Sequence, residues 1–401
     1  MKLDALRPLL HHDGPLTTVS LDVSRSEEAG DREVRSRWNN LRRSLEQHGA
    51  PASTVEAIGE VVLRPTHVPG PHGRVVVASD GDILLDHVLA APPARDEAFH
   101  NGVPALMPAA QAADEAVHYL VVEIDRAGAD LTWTGGAPGE EREEHVDGGH
   151  DVLHKAAGAG GLLGWNTRRV DARAEDSWER NAEAVAKEIE RGVVEHRPEI
   201  IMLTGDVKAV SLVRAELSRP TSERVVEVPG GSRAEGVKED VFAARLHEVV
   251  EAHRARRREA VVDRMREGLG RGEGAVTEVG DVVTVLRRGQ VAELVILQDA
   301  ARIPAPLHER RLWVGPDPLQ LALRRSELES LGVEPHEAQE LRADIALLRA
   351  AVAQDAGVTF ALEGSVDLVD GIGAVLRWSD SSTPHETAPS YTADNHRRKH
   401  H

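Results

Sequence analysis

The feature that most constrains this chain is the alternation of strand and helix patterns between residues 117 and 228. The unbroken apolar run over residues 200–203 is typical of a strand that is buried on both faces. An amphipathic helix is predicted over residues 171–194, because apolar residues recur there at intervals of four, three and four positions. These residues are Trp178, Ala182, Val185 and Ile189. The alternation predicts an α/β domain with a mostly buried sheet.

The chain has 401 residues, which is longer than one compact domain usually is. We predict an α/β fold of three domains, in which each domain is a mixed sheet packed with helices. The predicted domains cover residues 1–115, 116–268 and 275–378, and a Gly-alternating hinge follows the second. Residues 379–401 are polar and lack apolar periodicity, which predicts a disordered tail.

Two local patterns predict further elements. Strand patterns flank Asp80-Gly81-Asp82, and turn residues at this position predict a β-hairpin. The segment over residues 135–164 is polar and rich in glycine, which predicts a long loop before the helix of the central domain.

Composition excludes several classes of protein. The chain has 48 Lys and Arg residues against 67 Asp and Glu residues, which gives a formal net charge of −19. This charge excludes a protein that coats nucleic acid through long-range electrostatic attraction. Aromatic residues make up only 3%, which argues against a broad base-stacking platform. The absence of cysteine excludes disulfides and iron–sulfur clusters. Without an apolar stretch long enough to cross a membrane, we expect a soluble, cytoplasmic protein.

No sequence motif predicts a cofactor, a metal site or catalytic residues. The phosphate-loop pattern at residues 231–238 fails because Lys238 is displaced from its required position. A dinucleotide fingerprint fails because Leu163 stands where its third glycine is needed. A helical zinc pair at His247 fails because Glu251 replaces the second histidine.

The Gly-rich segment over residues 155–169 is the strongest candidate for contact with RNA. Glycine allows the backbone to approach another surface closely, and the flanking cations can neutralise phosphates. Trp165 lies off any apolar stripe and can stack on an unpaired base. The candidate RNA-binding residues are Lys155, Gly158, Gly160, Gly161, Gly164, Trp165, Asn166, Arg168, Arg169 and Arg173. A plain flexible surface loop is the alternative interpretation.

Two arginine clusters are further candidates for phosphate contacts. In the first amphipathic helix, four arginines fall off the apolar stripe: Arg35, Arg37, Arg42 and Arg43. A second cluster lies in the helix that follows residue 238: Arg254, Arg256, Arg257 and Arg258. A solvated helix face is the competing interpretation of both clusters.

A family resemblance rests on two segments of the third domain and on the central domain. Residues 282–297, followed far downstream by residues 371–378, resemble the C-terminal domain of the archaeal and eukaryotic class-one peptide-chain release factors and of Pelota. The Gly160-Gly161 pair stands where that family carries a Gly-Gly-Gln loop before a long helix. Residues 165–169 and 200–210 look most like the bacterial branch of the superfamily, which includes the Balon-type ribosome hibernation factors.

One departure from the family pattern affects the expected activity. In the catalytic members the glutamine helps to place water at the peptidyl-tRNA ester. In this chain Leu162 follows the glycine pair, and no glutamine lies between Lys155 and Arg173. The resemblance with this departure implies that the protein is not an enzyme. No stop-codon-reading motif is recognisable in residues 1–115, so translation termination is not supported.

The resemblance implies that the three predicted α/β domains have a release-factor-like architecture. It also implies a monomeric hibernation factor that occupies the aminoacyl site of idle ribosomes, contacts rRNA of both subunits and blocks translation under stress. It implies no cofactor, no membrane association, and a translational GTPase such as elongation factor Tu as a partner. Two alternatives stay open. One is a peptidyl-tRNA hydrolase or an RNA-cleaving ribosome rescue factor of the same superfamily, and the other is a protein scaffold that is unrelated to ribosomes.

Overall fold

The computed structural model describes residues 3–12, 14–25, 30–66, 68, 70–135, 141–147, 164–231, 239–298 and 305–384. The chain forms two compact units. The first combines residues 1–115 with residues 256–401, and the second comprises residues 116–255. In the described part of the chain, no helix is both long enough and apolar enough to cross a bilayer.

The N-terminal part of the first unit is an antiparallel sheet covered by helices. Its strands are β1 (Leu16–Asp22), β2 (Gly73–Ser79), β3 (Asp82–Leu89) and β4 (Glu97–Asn101). Its helices are α1 (Gly30–Gln47), α2 (Ala52–Leu63) and α3 (Met107–Glu115), preceded by a 3₁₀ helix (Asp4–His11). The strand order is β3-β2-β1-β4.

Local patterns predicted two features of this part correctly. β2 and β3 form the predicted hairpin, and Asp80 and Gly81 at its turn have φ angles of 49° and 92°. Positive φ at both central residues matches the right-handed twist of the two strands. The apolar stripe of α1 is buried, as expected for an amphipathic helix. It consists of Val34, Trp38, Leu41 and Leu45.

The second unit is a mixed sheet between helices. Its strands are β5 (Tyr119–Ile124), β6 (Gly128–Thr134), β7 (Glu141–Asp147), β8 (Ile200–Gly205) and β9 (Val225–Glu227). Its helices are α4 (Gly164–His196), α5 (Val207–Glu216) and α6 (Arg219–Ser222), and α7 (Glu239–Arg271) begins in this unit and ends in the first. The strand order is β7-β6-β5-β8-β9, in which β5, β8 and β9 are parallel.

The apolar pattern of the sequence explains how this sheet is covered. On one face, the predicted stripe of α4 packs on β5 and β6 through residues such as Ala182, Val185 and Ile189. On the other face, the first half of α7 packs on Met202 of β8 through residues such as Val250. β8 is therefore buried from both sides, as its continuous apolar run predicts.

The predicted loop over residues 135–164 is wrong in one respect, because β7 lies inside it. β7 pairs with β6 in antiparallel register from Thr134↔Glu141 to Gly128↔Asp147. Its sequence, Glu-Arg-Glu-Glu-His-Val-Asp, is almost entirely charged, so it has no apolar alternation that marks a strand. Charged side chains are common on edge strands, where they discourage pairing with another chain.

The C-terminal part of the first unit contains two sheets. Its strands are β10 (Ala275–Thr277), β11 (Val291–Gln298), β12 (Arg311–Val314), β13 (Leu321–Ala322), β14 (Gln339–Arg342), β15 (Gly357–Leu362) and β16 (Ile372–Leu376). Its helices are α8 (Val279–Arg287), α9 (Ala305–Glu309), α10 (Arg325–Ser330) and α11 (Ala343–Ala353), with a 3₁₀ helix at Val369–Gly371. The sheet orders are β10-β16-β11-β15 and β13-β12-β14. β11 and β16, on which the family resemblance rests, are neighbours.

The sequence predicted separate N-terminal and C-terminal domains, whereas the structure groups these two parts in one compact unit. The physical reason is a common apolar core, in which Val77 and Leu106 belong to the same buried cluster as Leu286 and Leu347. Polar contacts also cross between the parts: Gln339 Nε2 donates to Asn101 Oδ1 at 2.6 Å. The predicted boundary after residue 115 is also a boundary of the two compact units.

The predicted disordered tail begins too early. Ser382 accepts hydrogen bonds from Arg288 Nη1, at 2.7 Å to the carbonyl oxygen and 2.8 Å to Oγ. Thr383 is buried, and its Oγ1 accepts a hydrogen bond from Gln290 Nε2 at 2.9 Å. These contacts hold residues 379–384 against other residues of the first unit, so the prediction of disorder is wrong for them. Residues 385–401 lie outside the described residues.

Candidate nucleic-acid interface

The predicted Gly-rich segment lies only partly within the described residues. Lys155, Gly158, Gly160 and Gly161 fall outside them. Helix α4 begins at Gly164, earlier than the predicted start at residue 171, so the end of the predicted loop is helical. Adding residues to an existing helix costs much less free energy than nucleating a new helix. The packed apolar stripe of α4 therefore supports continuation of the helix toward its N-terminus. The candidate residues on this first part of α4 are Gly164, Trp165, Asn166, Arg168, Arg169 and Arg173, and their contacts with RNA stay predictions.

β5 and β8 are parallel neighbours, so their carboxyl ends meet at one edge of the sheet. We call residues 125–128 and 205–208 the carboxyl edge. After β5, Asp125 Oδ1 accepts hydrogen bonds from two backbone N–H groups of the following turn, at 2.7 and 2.9 Å. After β8, Gly205 has a φ of +120°, and a Cβ there would lie 1.9 Å from Ile124 O. The backbone after β8 therefore approaches the end of β5 so closely that only glycine fits at position 205.

Trp178 of α4 lies beside two cations of the carboxyl edge. Arg126 Cζ is 4.4 Å from the centre of the indole ring, and Lys208 Nζ is 4.9 Å from it. Both distances are within the range of about 6 Å for cation–π attraction. Asn181, one turn further along α4, donates from Nδ2 to Arg126 O at 2.8 Å. The buried ring thus fixes α4 against an edge that presents two positive charges.

Asp206 joins this cluster as the N-cap residue of α5. Its Oδ1 accepts hydrogen bonds from Lys208 N and Ala209 N, both at 3.0 Å, and its Oδ2 lies 3.1 Å from Arg126 Nη2. Burial acts to raise the pKa of Asp206, but the hydrogen bond from Ala209 N and the Arg126 guanidinium outweigh it and hold the pKa below its ordinary value. The carboxylate stays ionised at neutral pH and orients Arg126.

Arg37 of α1, a predicted phosphate contact, faces carboxylates of its own unit. Its guanidinium lies 3.3 Å from Asp22 Oδ2, 3.7 Å from Glu33 Oε2 and 3.8 Å from Asp96 Oδ2. Its side chain is 31% exposed. Arg37 therefore ties α1 to the end of β1 rather than standing free for RNA.

The other predicted arginines of α1 lie on its exposed side. Arg42 Nε is 2.8 Å from Glu46 Oε1, and Arg43 Nη2 donates to Asn40 Oδ1 at 2.7 Å. Arg35 is exposed and has no hydrogen bond or ion pair with the residues that the structure describes. Exposed pairs of this kind contribute little to stability, so Arg35, Arg42 and Arg43 can reorient toward a phosphate at small cost.

The arginines of α7 are mostly engaged within the protein. Arg257 donates to Asp114 O, and Arg254 Nη1 lies 2.5 Å from Glu251 Oε1. Asp114 Oδ2 accepts a hydrogen bond from Phe360 N at 3.1 Å. Burial raises the pKa of Asp114, an effect that the hydrogen bond from Phe360 N and the nearby arginine charges offset only in part. Arg257 and Asp114 therefore link α3, α7 and β15.

Near His247, where the helical zinc-pair pattern is incomplete, His253 pairs with a carboxylate. His253 Nε2 lies 3.2 Å from Glu199 Oε2, an interaction that joins α7 to the start of β8. Among the residues that the structure describes, no group of three or more His, Asp and Glu side chains is arranged to hold a metal ion.

Sequence reasoning missed Arg126 and Lys208 as site residues. They lie in turns that are separated by a long helix, and neither turn has a motif of its own. The available signal was indirect: two predicted parallel strands bring the residues at their carboxyl ends together, where ligands of α/β proteins commonly bind.

Comparison with known families bears on this same unit. Residues 118–271 match the bacterial archaeo-eukaryotic release factor family 2. The match includes the carboxyl edge and all of α4, and it confirms the resemblance to the release-factor superfamily. It supports a ribosome-associated translation factor.

A search of curated proteins gives a relative over almost the whole chain. An uncharacterized protein of Mycobacterium tuberculosis, from strains CDC 1551 and H37Rv, is 26% identical over 385 residues. The alignment covers 94% of this chain and 97% of the relative. The similarity therefore extends through both compact units.

Solved structures of release factors and Pelota also align with the chain at low similarity. An archaeal translation termination factor is 14% identical, with 90% of this chain and 92% of that chain covered and a TM-score of 0.21. Pelota of Archaeoglobus fulgidus is 13% identical, with 94% and 92% covered and a TM-score of 0.31. Archaeal Pelota in a ribosome-bound model is 13% identical, with 94% and 93% covered and a TM-score of 0.40.

Proposed function

We propose that this protein binds idle ribosomes, occupies their aminoacyl site and blocks translation without hydrolysing peptidyl-tRNA. One observation carries the proposal: residues 118–271 match a release-factor family, whereas Leu162 follows the Gly160-Gly161 pair in place of glutamine. A factor with a release-factor fold but no glutamine after the glycine pair keeps the shape that fits the aminoacyl site. It lacks the side-chain amide that positions water.

The charge distribution supports local rather than global attraction to rRNA. The net charge of −19 repels polyanions at long range, so binding depends on shape and on a few positive positions. The carboxyl edge supplies two such positions, because Arg126 and Lys208 both lie at the surface beside Trp178. Contacts of this kind with phosphates weaken as the salt concentration rises.

Under this proposal the Gly-rich segment extends toward the peptidyl-transferase centre, and the first unit contacts the decoding side and a translational GTPase. Such a protein is a monomeric, cytoplasmic factor of the stress response. It needs no cofactor, because occupancy of the site is its whole action.

Co-sedimentation with vacant 70S ribosomes at several salt concentrations tests the binding. We expect the protein to sediment with ribosomes at low salt and to dissociate as salt rises. Replacing both Arg126 and Lys208 with glutamine should weaken binding at least tenfold. The matched control replaces Arg214 and Arg219 with glutamine, which removes the same charge from exposed positions of the same unit. An equal loss in both double variants would contradict a role for the carboxyl edge.

Turnover of peptidyl-tRNA separates occlusion from the alternative function, a hydrolase or rescue factor of the same superfamily. We expect the wild-type protein to release no nascent peptide from ribosome complexes. If it does release peptide, Asn166→Ala tests whether the only side-chain amide between Lys155 and Arg173 replaces the missing glutamine. Release that Asn166→Ala abolishes would establish the hydrolase and overturn the non-catalytic proposal.

A further inference from the structure

A cavity of about 340 Å³ lies in the second unit, at the end of the sheet opposite the carboxyl edge. Side chains from the ends of β6, β7 and α4 and from the residue before β5 line it. They are His118, Trp133, Thr134, Glu141, Arg142 and His196. The volume falls within the range of about 300–1,000 Å³ that is usual for small-molecule sites.

The aromatic wall of this cavity is held in place by the fold. The rings of Trp133 and His196 have centroids 4.7 Å apart and planes tilted by 46°. Gly192 of α4 lies under the indole, where a Cβ would be 2.1 Å from Trp133 Cζ2. Glycine is unfavourable within a helix, so its presence here is explained by the room that it leaves for the indole.

Two polar atoms of the lining have no hydrogen-bond partner among the residues that the structure describes. Trp133 is only 4% exposed, and its Nε1 is buried without an acceptor. Thr134 Oγ1 is likewise buried and unpartnered. Buried polar atoms in folded proteins are nearly always satisfied, so the unpartnered indole N–H in the wall of a cavity calls for an explanation. A flat ligand with a hydrogen-bond acceptor on its edge would supply a partner for Trp133 Nε1, whereas Thr134, the next residue of β6, lies on the other face of the sheet.

The rim of the cavity carries a cation that can move. Arg142 Nη1 lies 3.8 Å from Glu195 Oε1, and the two side chains are 64% and 54% exposed. An ion pair this long and this exposed is weak. The Arg142 guanidinium can therefore turn to a phosphate, which matches its planar set of donors well.

We propose that this cavity binds an unpaired nucleobase together with its phosphate. The heterocycle packs at the Trp133–His196 wall, an acceptor on its edge meets Trp133 Nε1, and the phosphate meets Arg142. The base comes either from a free mononucleotide or from an unpaired position in RNA. Only the RNA source rests on the proposed ribosomal function, because a free mononucleotide would bind without a ribosome.

NMR of the tryptophan indole N–H groups tests this site in the full-length protein, with the Trp133 signal assigned by its loss in Trp133→Phe. The probes are AMP, GMP, CMP and UMP, the four nucleosides, and single-stranded ten-nucleotide RNAs. We expect saturable shifts of the Trp133 signal. Comparable affinity for mononucleotide and RNA indicates a free nucleotide as the source, and a response to RNA alone indicates an RNA base. No shift with any probe would overturn the proposal.

Variants separate specific contacts from general effects. Trp133→Phe keeps an aromatic ring but removes the indole N–H, and it should weaken binding, measured by titration calorimetry, about fivefold, the effect of one lost hydrogen bond. Arg142→Gln should weaken binding of mononucleotides and leave binding of nucleosides unchanged. Arg180→Gln, at an exposed position of α4 away from the cavity, is the matched control and should change neither. Equal effects of Arg142→Gln and Arg180→Gln would contradict the phosphate contact.

Ribosome binding of the same variants keeps the two proposals apart. If Trp133 does not respond to any nucleotide or RNA while the protein still sediments with ribosomes, the cavity proposal fails and the proposed function stands. If mononucleotides bind and ribosomes do not, the proposed function fails and the cavity proposal stands.

Discussion

Arg126 and Trp178 are in contact at the carboxyl edge, with the guanidinium carbon 4.4 Å from the centre of the indole ring. Arg126 comes from the turn after β5, and Trp178 comes from α4, more than fifty residues later in the chain. The contact therefore joins the helix that follows the Gly-rich segment to the sheet that supports it.

Replacing Trp178 with alanine should lower the free energy of unfolding of the second unit by about 3–5 kcal/mol, because a buried indole and its cation–π contacts are lost. Urea unfolding followed by circular dichroism measures this. Trp378→Ala is the matched control, because Trp378 is 47% exposed and its loss should change stability by no more than about 0.5 kcal/mol. Equal effects of the two substitutions would show that Trp178 does not hold α4 on the sheet.

Gly205→Ala should destabilise the protein severely. The added Cβ would lie 1.9 Å from Ile124 O, and φ at this position is +120°, so both a clash and backbone strain arise. Strain alone costs about 1–3 kcal/mol. Gly270→Ala is the control, because nothing lies within 4 Å of its added Cβ, and it should leave stability unchanged or raise it by up to about 1 kcal/mol. Thermal unfolding of both variants compares them directly.

Asp114 should make stability fall as pH rises. Burial raises its pKa above the ordinary 3.8, so between 3.8 and the raised value the folded protein binds more protons than the unfolded chain. The stability that the protonated carboxyl contributes is complete below 3.8 and decreases as pH rises through this window. Asp114→Asn should remove this component, as seen in the difference between wild-type and variant free energies of unfolding across pH 3–7.

Asp206 should affect the pH dependence of stability in the opposite direction, so that stability falls as pH falls. Its pKa is held below 3.8 by Ala209 N and Arg126, which outweigh the effect of burial, so its contribution is present above 3.8 and is lost as pH falls through the lowered value. Asp206→Asn should therefore flatten the acid limb of the stability profile. If the two variants changed the profile in the same direction, the assigned causes of the two pKa shifts would be wrong.

Truncation should distinguish residues 379–384 from the rest of the tail. A chain that ends at residue 384 keeps the hydrogen bonds of Ser382 and Thr383 to the first unit, and its stability should match that of the full chain. A chain that ends at residue 378 exposes Gln290, which is fully buried, and should lose about 1–2 kcal/mol. Comparing the two truncations by urea unfolding tests this, and equal stabilities would refute it.

Much of the fold follows from local pattern. The continuous apolar run predicts β8, the spaced apolar residues predict the packed faces of α1 and α4, and the turn at Asp80-Gly81 predicts the β2–β3 hairpin. Each of these elements has a periodicity that its burial requires. β7 has none, because it is a charged edge strand whose pairing is decided by β6.

The rest depends on contacts between residues that are far apart in the chain. The common core of residues 1–115 and 256–376 arises from packing between segments that the sequence separates by a whole compact unit. The carboxyl edge forms because β5 and β8 pair in parallel, and no local sequence motif predicts that pairing. Likewise, nothing in the sequence of α1 shows that Arg37 meets Asp22 and Asp96 while Arg35 stays exposed.

The central claim is that the protein occupies the aminoacyl site of idle ribosomes. The most direct test is competition: vacant 70S ribosomes are loaded with the protein, and the binding of aminoacyl-tRNA to the aminoacyl site is measured as protein concentration rises. The proposal predicts that aminoacyl-tRNA is excluded in proportion to the bound protein, with no release of peptide from peptidyl-tRNA in the same ribosomes. Undiminished binding of aminoacyl-tRNA to ribosomes saturated with the protein would contradict it.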